Sequence, residues 1–312
     1  MKISYVIPCY RSADTISNVL EEIKEVMTKE VKCDYEVILV NDASPDNTYE
    51  VLKEIAQKDN HVTAVNLAKN SGQASATMCG FKFATGDYIV CGDDDGQTPF
   101  IEINKLKNKL ENENFDVVCG KYINRDQKNI IRNIGSKVNI KMSEIILNQP
   151  KDLYMSVFFI AKKFVIDEIL KYKNPYPYIT GLLLRTTSNI GNVEVEQRDR
   201  TVGKSGYTIK KLLSLWMNGF TAFSIKPLRI STVIGFIIAT IGFLFGVFIV
   251  LRKLFGLTVI AQGYSSTMAV LLFIGGIIML MIGMIGEYIG RIYISINNSP
   301  QYVIKETMHK EK

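Results

Sequence analysis

The segment best suited to chemistry is acidic and runs Cys91-Gly92-Asp93-Asp94-Asp95-Gly96-Gln97-Thr98-Pro99. Its three neighbouring carboxylates follow a predicted buried strand, where they repel one another and lose hydration. A hard divalent cation would relieve that repulsion, and it would still accept phosphate oxygens. If the segment stays extended, Asp93 and Asp95 point the same way and can face one ion, with Gln97 adding an oxygen on that face. The alternative is a solvated acidic turn before the next helix.

Two further polar stretches also follow predicted strands. In the first, Asn41 to Thr48, Asp42 stands directly beyond a strand, where it can accept hydrogen bonds from a base or a ribose. The same residue types also favour an ordinary turn. The second, Lys69 to Gln73, opens a helix of small residues, and a helix N-terminus beside Gly and Lys suits a diphosphate. Small residues also allow close packing of a helix on a sheet, so each stretch alone is ambiguous.

Two common nucleotide-binding motifs are missing from the sequence. Gly203-Lys204-Ser205 resembles the end of a P-loop, but that motif needs a glycine where Arg198 stands. No G-x-G-x-x-G follows the first strand either. Nucleotide hydrolysis and dinucleotide redox chemistry therefore lose support.

Composition and charge limit the partners. The 312 residues are 47% hydrophobic and carry a net charge of +6, so the chain is too apolar for a disordered protein. Most of the positive excess lies from Lys226 onward, which leaves the first two-thirds nearly neutral and argues against nucleic acid as a partner. Basic charge beside apolar helices fits an anionic membrane surface better. The five cysteines show no zinc spacing and are expected to be reduced, buried thiols.

The elements that must position the polar stretches follow from the apolar pattern. Short apolar runs alternate with helical periods over the first 119 residues, which predicts an α/β fold with a mostly parallel sheet and helices on both faces. Ligands of such sheets gather at the carboxyl ends of the strands, where all three stretches fall. The predicted strands are 3–7, 35–40, 62–66, 88–91 and 115–119, with Pro8 ending the first. The helices between them are 15–27, 48–57, 73–84 and 100–110.

The pattern after residue 120 is less regular. It predicts helices over 132–147, 165–172 and 182–187 and strands over 157–161 and 193–196. Residues 208–220 form an amphipathic pattern beside Lys210 and Lys211, so this segment is expected to lie on the membrane surface. Packing against the soluble domain is the alternative.

Two stretches, 230–251 and 254–286, contain no charged side chain. Because a helix needs about 20 apolar residues to cross the bilayer, we predict two transmembrane helices, near 231–251 and 267–289. Two buried core helices are the alternative. More Lys and Arg residues flank the outer ends of these spans than lie in the connector, which favours a multi-pass protein of the cell membrane with a cytoplasmic catalytic domain and both termini cytoplasmic.

Taken together, these motifs resemble those of family 2 glycosyltransferases with the GT-A fold. The branch that they resemble most looks like the polyprenyl-phosphate glycosyltransferases, which include dolichyl-phosphate mannose synthases and bacterial undecaprenyl-phosphate sugar transferases. The resemblance covers nearly the whole chain. It rests on Ile7-Pro8-Cys9-Tyr10, on Asn41-Asp42-Ala43-Ser44, on the acidic segment and on Gly286-Glu287-Tyr288-Ile289-Gly290-Arg291-Ile292-Tyr293.

The resemblance implies a domain order. It gives 1–207 as a cytoplasmic GT-A domain, 208–229 as amphipathic juxtamembrane helices, 230–290 as the two spans and 291–312 as a cytoplasmic tail.

The resemblance and the residue types together assign roles. Nucleotide-sugar binding is expected at Pro8, Tyr10, Asp42, Lys69, Gln73, Asp93 and Asp94. The metal, Mg²⁺ or Mn²⁺, is expected on Asp93, Asp95 and Gln97. The acceptor phosphate is expected at Lys121, Arg132, Ser136, Arg200 and Ser205. The catalytic residues are expected to be Asp152, Arg200 and Asp95. The sequence departs from the family pattern at Asn41 and Ala43, where Asp and Gly are common, and at Lys121, which keeps the charge of Arg but loses its bidentate fork.

The implied reaction is inverting, metal-dependent transfer of a sugar from a nucleotide-sugar donor, expected to be UDP-linked, to undecaprenyl phosphate for modification of cell-envelope glycans. The acceptor phosphate has a second pKa of about 6, so it is already an anion near neutral pH and needs little help from a base. Asp152 is therefore either a base or a residue that orients the donor sugar. The resemblance leaves room for a homo-oligomer and for a flippase partner.

Two alternative functions stay open. One is a processive polysaccharide synthase, although such enzymes usually carry a Gln-x-x-Arg-Trp motif and the one tryptophan here, Trp216, stands in Leu-Trp-Met. The other is a non-catalytic membrane partner of a lipid-sugar flippase, against which the intact acidic segment argues.

Overall fold

A computed structural model of the chain describes residues 1–123, 149–196, 198, 226–255, 263–297 and 300–309. The chain divides into two compact units, one of Met1–Leu213 with Asn298–Lys312 and one of Ser214–Asn297. The helices predicted over 132–147 and 208–220 lie outside the described residues. So do Arg132, Ser136, Arg200, Ser205 and Trp216.

The first unit begins with the predicted alternation of strands and helices. Its elements are β1 (Lys2–Cys9), α1 (Ile16–Val26) with a π-helical turn (Met27–Val31), β2 (Asp34–Asn41), α2 (Thr48–Lys58), β3 (Val62–Leu67), α3 (Gln73–Phe83), β4 (Tyr88–Cys91), a 3₁₀ turn (Phe100–Glu102), α4 (Ile103–Asn112) and β5 (Val117–Tyr122). It continues with β6 (Phe159–Lys162), α5 (Lys163–Ile169), α6 (Ile179–Thr186), β7 (Ile190–Val195) and β8 (Ile304–His309). The strands that carry the polar stretches therefore match their prediction, and the α/β fold is confirmed.

The described strands form one sheet of eight, in the order β7-β5-β6-β4-β1-β2-β3-β8. Strand β1 pairs in parallel with β2 on one side and with β4 on the other. The chain runs outward from β1 through β2 to β3 and then returns to place β4 on the opposite side of β1. This reversal makes the carboxyl ends of β1 and β4 the point where a sheet of this kind binds ligands.

Strand β1 extends one residue beyond Pro8, which the sequence analysis takes as its end. Pro8 lies opposite Val40 of β2. The pairing of β1 with β4 covers Ile3 to Val6, so no strand on that side needs a hydrogen bond from position 8. A proline without an N–H is therefore tolerated in this central strand.

The C-terminal segment is a strand of the sheet, whereas the sequence analysis treats 291–312 as a tail. Strand β8 lies antiparallel to β3, with Ala64 opposite Met308 and Val65 opposite Thr307. The ion pair of Lys53 with Glu306, at 2.7 Å, joins α2 to the same strand. Residues that follow the apolar helices therefore complete the sheet that begins at residue 2.

The small residues of α3 bring that helix close to the sheet. A Cβ atom on Gly80 would lie 2.3 Å from Cγ1 of Val6 and 3.2 Å from Cγ2 of Val40. Since real Cβ atoms do not approach another atom to 2.3 Å, only glycine fits here without movement of Val6. Close packing thus accounts for the small residues, as the simpler interpretation of this segment predicts.

A half-buried carboxylate, Glu36, holds β1, β2 and the turn before β4 together near the amino ends of these strands. Glu36 accepts hydrogen bonds from Nζ of Lys2, from Oγ of Ser4 and from the backbone N–H of Thr85, each at 2.6 Å. Burial raises the pKa of Glu36, but these donors outweigh it and hold that pKa below its ordinary value of 4.5.

The Glu36→Gln variant is expected to be less stable by about 1–3 kcal/mol at neutral pH, because it loses a charged acceptor. Since the folded-state pKa is depressed, this stabilisation is present above pH 4.5 and disappears as the pH falls through the folded pKa. Thermal melting of the full chain in detergent, followed by circular dichroism, should show a gap between wild type and variant that closes on acidification. The Glu50→Gln variant, on the exposed face of α2, should show no gap; an equal gap for both at every pH would refute the assignment.

The second unit contains two long helices, α7 (Lys226–Leu254) and α8 (Tyr264–Ile296). One stretch of the described residues, Phe273–Gly290 in α8, is long and apolar enough to cross a membrane. In α7 the corresponding apolar stretch, Thr232–Leu244, is shorter. Both predicted spans are therefore helical. By length and composition, one of them is a candidate to cross a membrane.

Candidate active site

Four loops at the carboxyl ends of β1 to β4 are joined in a ring of hydrogen bonds. The loop after β1 meets the loop after β2, since the N–H groups of Arg11 and Ser12 donate to the hydroxyls of Ser44 and Thr48 at 3.1 and 3.0 Å. Five further hydrogen bonds close the ring. They join Asp42 to Ser71 and Gly72, Gln73 to Asp93, and Asp94 to Tyr10 and Ser12. The polar stretches that the sequence analysis singles out thus lie at one place, the β1/β4 switch point.

The acidic segment is bent, not extended. Residues 94–96 form a bend, and Gly96 has a φ of 76°, which favours glycine. Alternation therefore does not decide where the three carboxylates point, and the premise that placed Asp93 and Asp95 on one face is wrong. Each of the three aspartates has its own hydrogen-bonding partner instead.

Asp94 joins the acidic segment to the loop after β1. One of its oxygens, Oδ2, accepts the backbone N–H of Tyr10 at 3.0 Å and the hydroxyl of Ser12. Burial raises the pKa of Asp94, the two donors lower it, and the charge of Asp95 raises it further, with a net upward shift. The carboxylate expected to bind the nucleotide sugar is thus engaged with the protein itself.

Asp93 and Asp95 are the remaining carboxylates of the segment. Oδ1 of Asp93 accepts Nε2 of Gln73 at 2.6 Å, and Oδ1 of Asp95 accepts the backbone N–H of Gln97 at 3.0 Å. Within the described ranges no three His, Cys, Asp or Glu side chains form a ready metal cage. Two carboxylates and one amide oxygen are hard ligands that suit Mg²⁺ or Mn²⁺ when phosphate oxygens and water complete the coordination.

Asp42 is buried at the end of β2, where its two oxygens accept the backbone N–H groups of Ser71 and Gly72 at 2.6 and 2.9 Å. Burial raises the pKa of Asp42, and the two backbone donors only partly offset it. The N–H groups before helix α3, which the sequence analysis offers to a diphosphate, therefore already face an anion of the chain. Each carboxylate oxygen can accept a further hydrogen bond, and the contact of Asp42 with the nucleotide stays a prediction.

Two other predicted nucleotide contacts lie beside the ring. Tyr10 is 46% exposed, with the guanidinium of Arg11 stacked over its ring at 5.6 Å. Lys69 is exposed at the end of β3. Pro8 is buried within β1, so its contribution to a ligand site would be the shape of the strand end.

Lys121 and Asp152 make no described contact with the acidic segment. Lys121 is exposed on β5 and pairs with Glu194 of β7 at 3.2 Å. Asp152 is exposed on a turn. The segment after it is anchored by Asn192, whose amide accepts the N–H of Tyr154 at 2.8 Å and donates to its carbonyl at 2.6 Å.

The structure adds residues that sequence reasoning missed. Thr98 is buried, and its hydroxyl accepts the backbone N–H of Asp93 at 3.0 Å. Tyr122 at the end of β5 hydrogen-bonds with the side chain of Thr98, and burial followed by the charges of Asp93 and Asp95 raises its pKa. Thr98 stands within a motif that the sequence analysis quotes, whereas no sequence signal relates Tyr122 to it.

The sequence matches two family profiles and is similar to known proteins along its length. The profile of "Glycosyl transferase family 2" matches residues 4–170, and that of "GtrB C-terminal hairpin" matches residues 226–292. The chain is 35% identical to the undecaprenyl-phosphate 4-deoxy-4-formamido-L-arabinose transferase of Proteus mirabilis, over 100% of this chain and 95% of that protein. It is 31% identical to the prophage bactoprenol glucosyl transferase homolog of Escherichia coli, over 98% and 99% of the two chains.

Solved structures share the fold at low sequence identity. The glucosyl-3-phosphoglycerate synthase of Mycobacterium tuberculosis, crystallised with Mn²⁺, UDP-glucose and phosphoglyceric acid, superposes with a TM-score of 0.51 at 14% identity. The superposition covers 70% of this chain and 78% of the other. The first unit therefore shares its fold with that protein. Because the family profile spans more than half of the residues and the relatives align over nearly the full length, the chain belongs to glycosyl transferase family 2.

Proposed function

We propose that this protein transfers a sugar from a UDP-linked donor to undecaprenyl phosphate, with inversion, at the cytoplasmic face of the cell membrane. The observation that carries the proposal is the acidic turn at the β1/β4 switch point of a chain that resembles, over its full length, proteins named as undecaprenyl-phosphate and bactoprenol sugar transferases. The product would serve modification of cell-envelope glycans.

The donor diphosphate is assigned to the acidic turn. Asp93, Asp95 and Gln97 supply the oxygens that would hold Mg²⁺ or Mn²⁺, and the presence of Mn²⁺ and UDP-glucose in a protein of the same fold supports a divalent ion. When bound, the ion offsets the charge that builds on the leaving diphosphate. The hydrogen bond from Gln73 orients Asp93, and the exposed ring of Tyr10 offers a surface for the base.

The acceptor phosphate is assigned to basic residues beyond the acidic turn. Lys121, at the end of β5, is exposed and can change partner from Glu194 to a phosphate. Arg132, Ser136, Arg200 and Ser205 are assigned to the same anion from the family motifs. Because that anion is already a nucleophile near neutral pH, orienting it for in-line attack is the main task of these groups. Asp152 would orient the donor sugar or act as a base.

A membrane hairpin with both ends on the cytoplasmic side is part of the proposal. The chain leaves the first unit before α7 and returns to the sheet of that unit as β8. Because both points belong to the same unit, they lie on the same side of the membrane. The chain between them must therefore cross the membrane an even number of times. This supports two spans, one in α7 and one in α8, although only Phe273–Gly290 qualifies by length and composition. A homo-oligomer and a flippase partner stay predictions.

The test is a transfer assay with the full chain in detergent or nanodiscs. Undecaprenyl phosphate and a panel of radiolabelled UDP- and GDP-sugars should give one labelled lipid that EDTA abolishes and Mg²⁺ or Mn²⁺ restores. Transfer that persists in EDTA would refute the metal assignment, and the lack of a labelled lipid with every donor would refute the proposed reaction. A product elongated by repeated additions would identify a processive synthase instead.

A further inference from the structure

A carboxylate outside the acidic turn contacts both Ile101, which follows that turn, and Arg198, whose carbonyl lies beside Gln97. Glu22 lies on helix α1, and its side chain is 15% exposed. Its Oε1 accepts the backbone N–H of Ile101 at 2.6 Å, and its Oε2 accepts a guanidinium N–H of Arg198 at 2.6 Å. Both oxygens of this one residue are therefore engaged, each with a different part of the chain.

Arg198 in turn contacts Gln97, one of the proposed metal ligands. The side-chain amide of Gln97 donates to the carbonyl of Arg198 at 3.4 Å. Since a carbonyl only accepts, the nitrogen of that amide must face Arg198, and its oxygen is held on the other side. The stretch between Gln97 and Ile101 is fixed by buried Thr98 and Phe100, so movement of either end would be transmitted to the amide.

The segment that carries Arg198 has a second attachment that does not involve Glu22. The backbone N–H of Glu196 donates to Oε1 of Glu102 in the 3₁₀ turn at 2.9 Å. Glu196 is therefore expected to stay attached to the 3₁₀ turn when Glu22 is changed. Loss of the Glu22 contacts should alter the orientation of Arg198 and Gln97 more than the stability of the fold.

We propose that Glu22 is a positioning residue which, through Arg198, presents the amide oxygen of Gln97 to a divalent cation. This inference rests on the proposed function, because it takes Gln97 as a ligand. Outer groups that orient metal ligands contribute strongly to metal affinity. The charge of Glu22 matters here because the guanidinium of Arg198 makes a charge-assisted bond to it.

The experiment measures Mn²⁺ binding to the purified full chain in detergent without donor, with free Mn²⁺ followed by electron paramagnetic resonance. Glu22→Gln keeps the shape of the side chain but removes its charge, and it is expected to raise the dissociation constant about tenfold. Arg198→Gln should have the same effect, Arg198→Lys a smaller one, and the double variant no more than either single change. Glu21→Gln, at the exposed neighbouring position on α1, is the matched control and should bind like wild type.

Thermal melting without metal separates positioning from folding. We expect the melting temperature of Glu22→Gln to stay close to that of wild type while Mn²⁺ affinity and the KM for the donor change. Wild-type Mn²⁺ affinity in both Glu22→Gln and Arg198→Gln, alongside loss of binding in Asp95→Ala, would overturn this inference alone. Wild-type affinity in Asp95→Ala would overturn the metal site and this inference together, and additive effects in the double variant would also refute a shared route.

Discussion

Sugar transfer by the Asp95→Ala variant is expected to fall by at least about a thousandfold, the scale seen when a group that stabilises transition-state charge is removed. Asp95 is one of the two carboxylates assigned to the metal, and its Oδ1 accepts the backbone N–H of Gln97 at 3.0 Å. Removing it should abolish ion binding and leave the fold intact. The Asp95→Asn variant should be nearly as inactive, because the amide keeps the size but loses the charge.

Activity is measured as labelled lipid formed per minute, and folding as the melting temperature without metal. The matched control is Asp34→Ala, which removes an exposed carboxylate. Asp34 lies at the amino end of β2, at the opposite end of that strand from the site. That variant should transfer sugar like wild type. Near-normal turnover in Asp95→Ala would refute the metal assignment, whereas equal losses in both aspartate variants would point to a general effect of charge.

The neighbouring Asp94→Ala variant should also lose activity strongly, but through a different cause. One oxygen of Asp94 accepts both the N–H of Tyr10 and the hydroxyl of Ser12. Its removal leaves the loop after β1 without its tie to the acidic turn, at a cost of about 2–4 kcal/mol for two donors to a charged group. We expect a lower melting temperature and a higher KM for the donor.

The amide variants separate the two aspartates. Asp94→Asn keeps an oxygen that can accept from Tyr10 and Ser12, so most of the activity and stability of wild type should return. Asp95→Asn should rescue nothing. If Asp94→Asn were as inactive as Asp94→Ala while the melting temperature stayed normal, Asp94 would be a ligand of the donor or of the metal, as the family resemblance first implies.

The location of the site could be predicted from the sequence because buried parallel strands appear as apolar runs whose carboxyl ends are easily recognised. The observed bounds of Tyr88–Cys91 are those that its apolar run predicts, and the acidic turn follows at once. The division of labour among the three aspartates could not be predicted in this way. It depends on the bend at Gly96 and on partners in another loop, such as Tyr10.

Contacts between segments that are distant in the sequence could not be predicted either. The residues Ile304–His309 alternate between partly buried and exposed positions in the structure, but their residue types do not alternate, and their charged side chains also suit a solvated tail. Glu22 belongs to an ordinary amphipathic helix, and nothing in its local pattern points to Arg198, which is 176 positions away. Such residues become recognisable only when the fold brings their partners together.

Strand β8 has a consequence for the order in which the protein can be made. Thr63 of β3 and His309 of β8 are hydrogen-bonded neighbours that lie 246 positions apart along the chain. At about 5–20 residues per second on the ribosome, the outer edge of β3 stays without that partner for roughly ten to fifty seconds after its own synthesis. Unpaired strand edges are sites of aggregation, so we expect the nascent chain to need shielding there until the residues of β8 emerge.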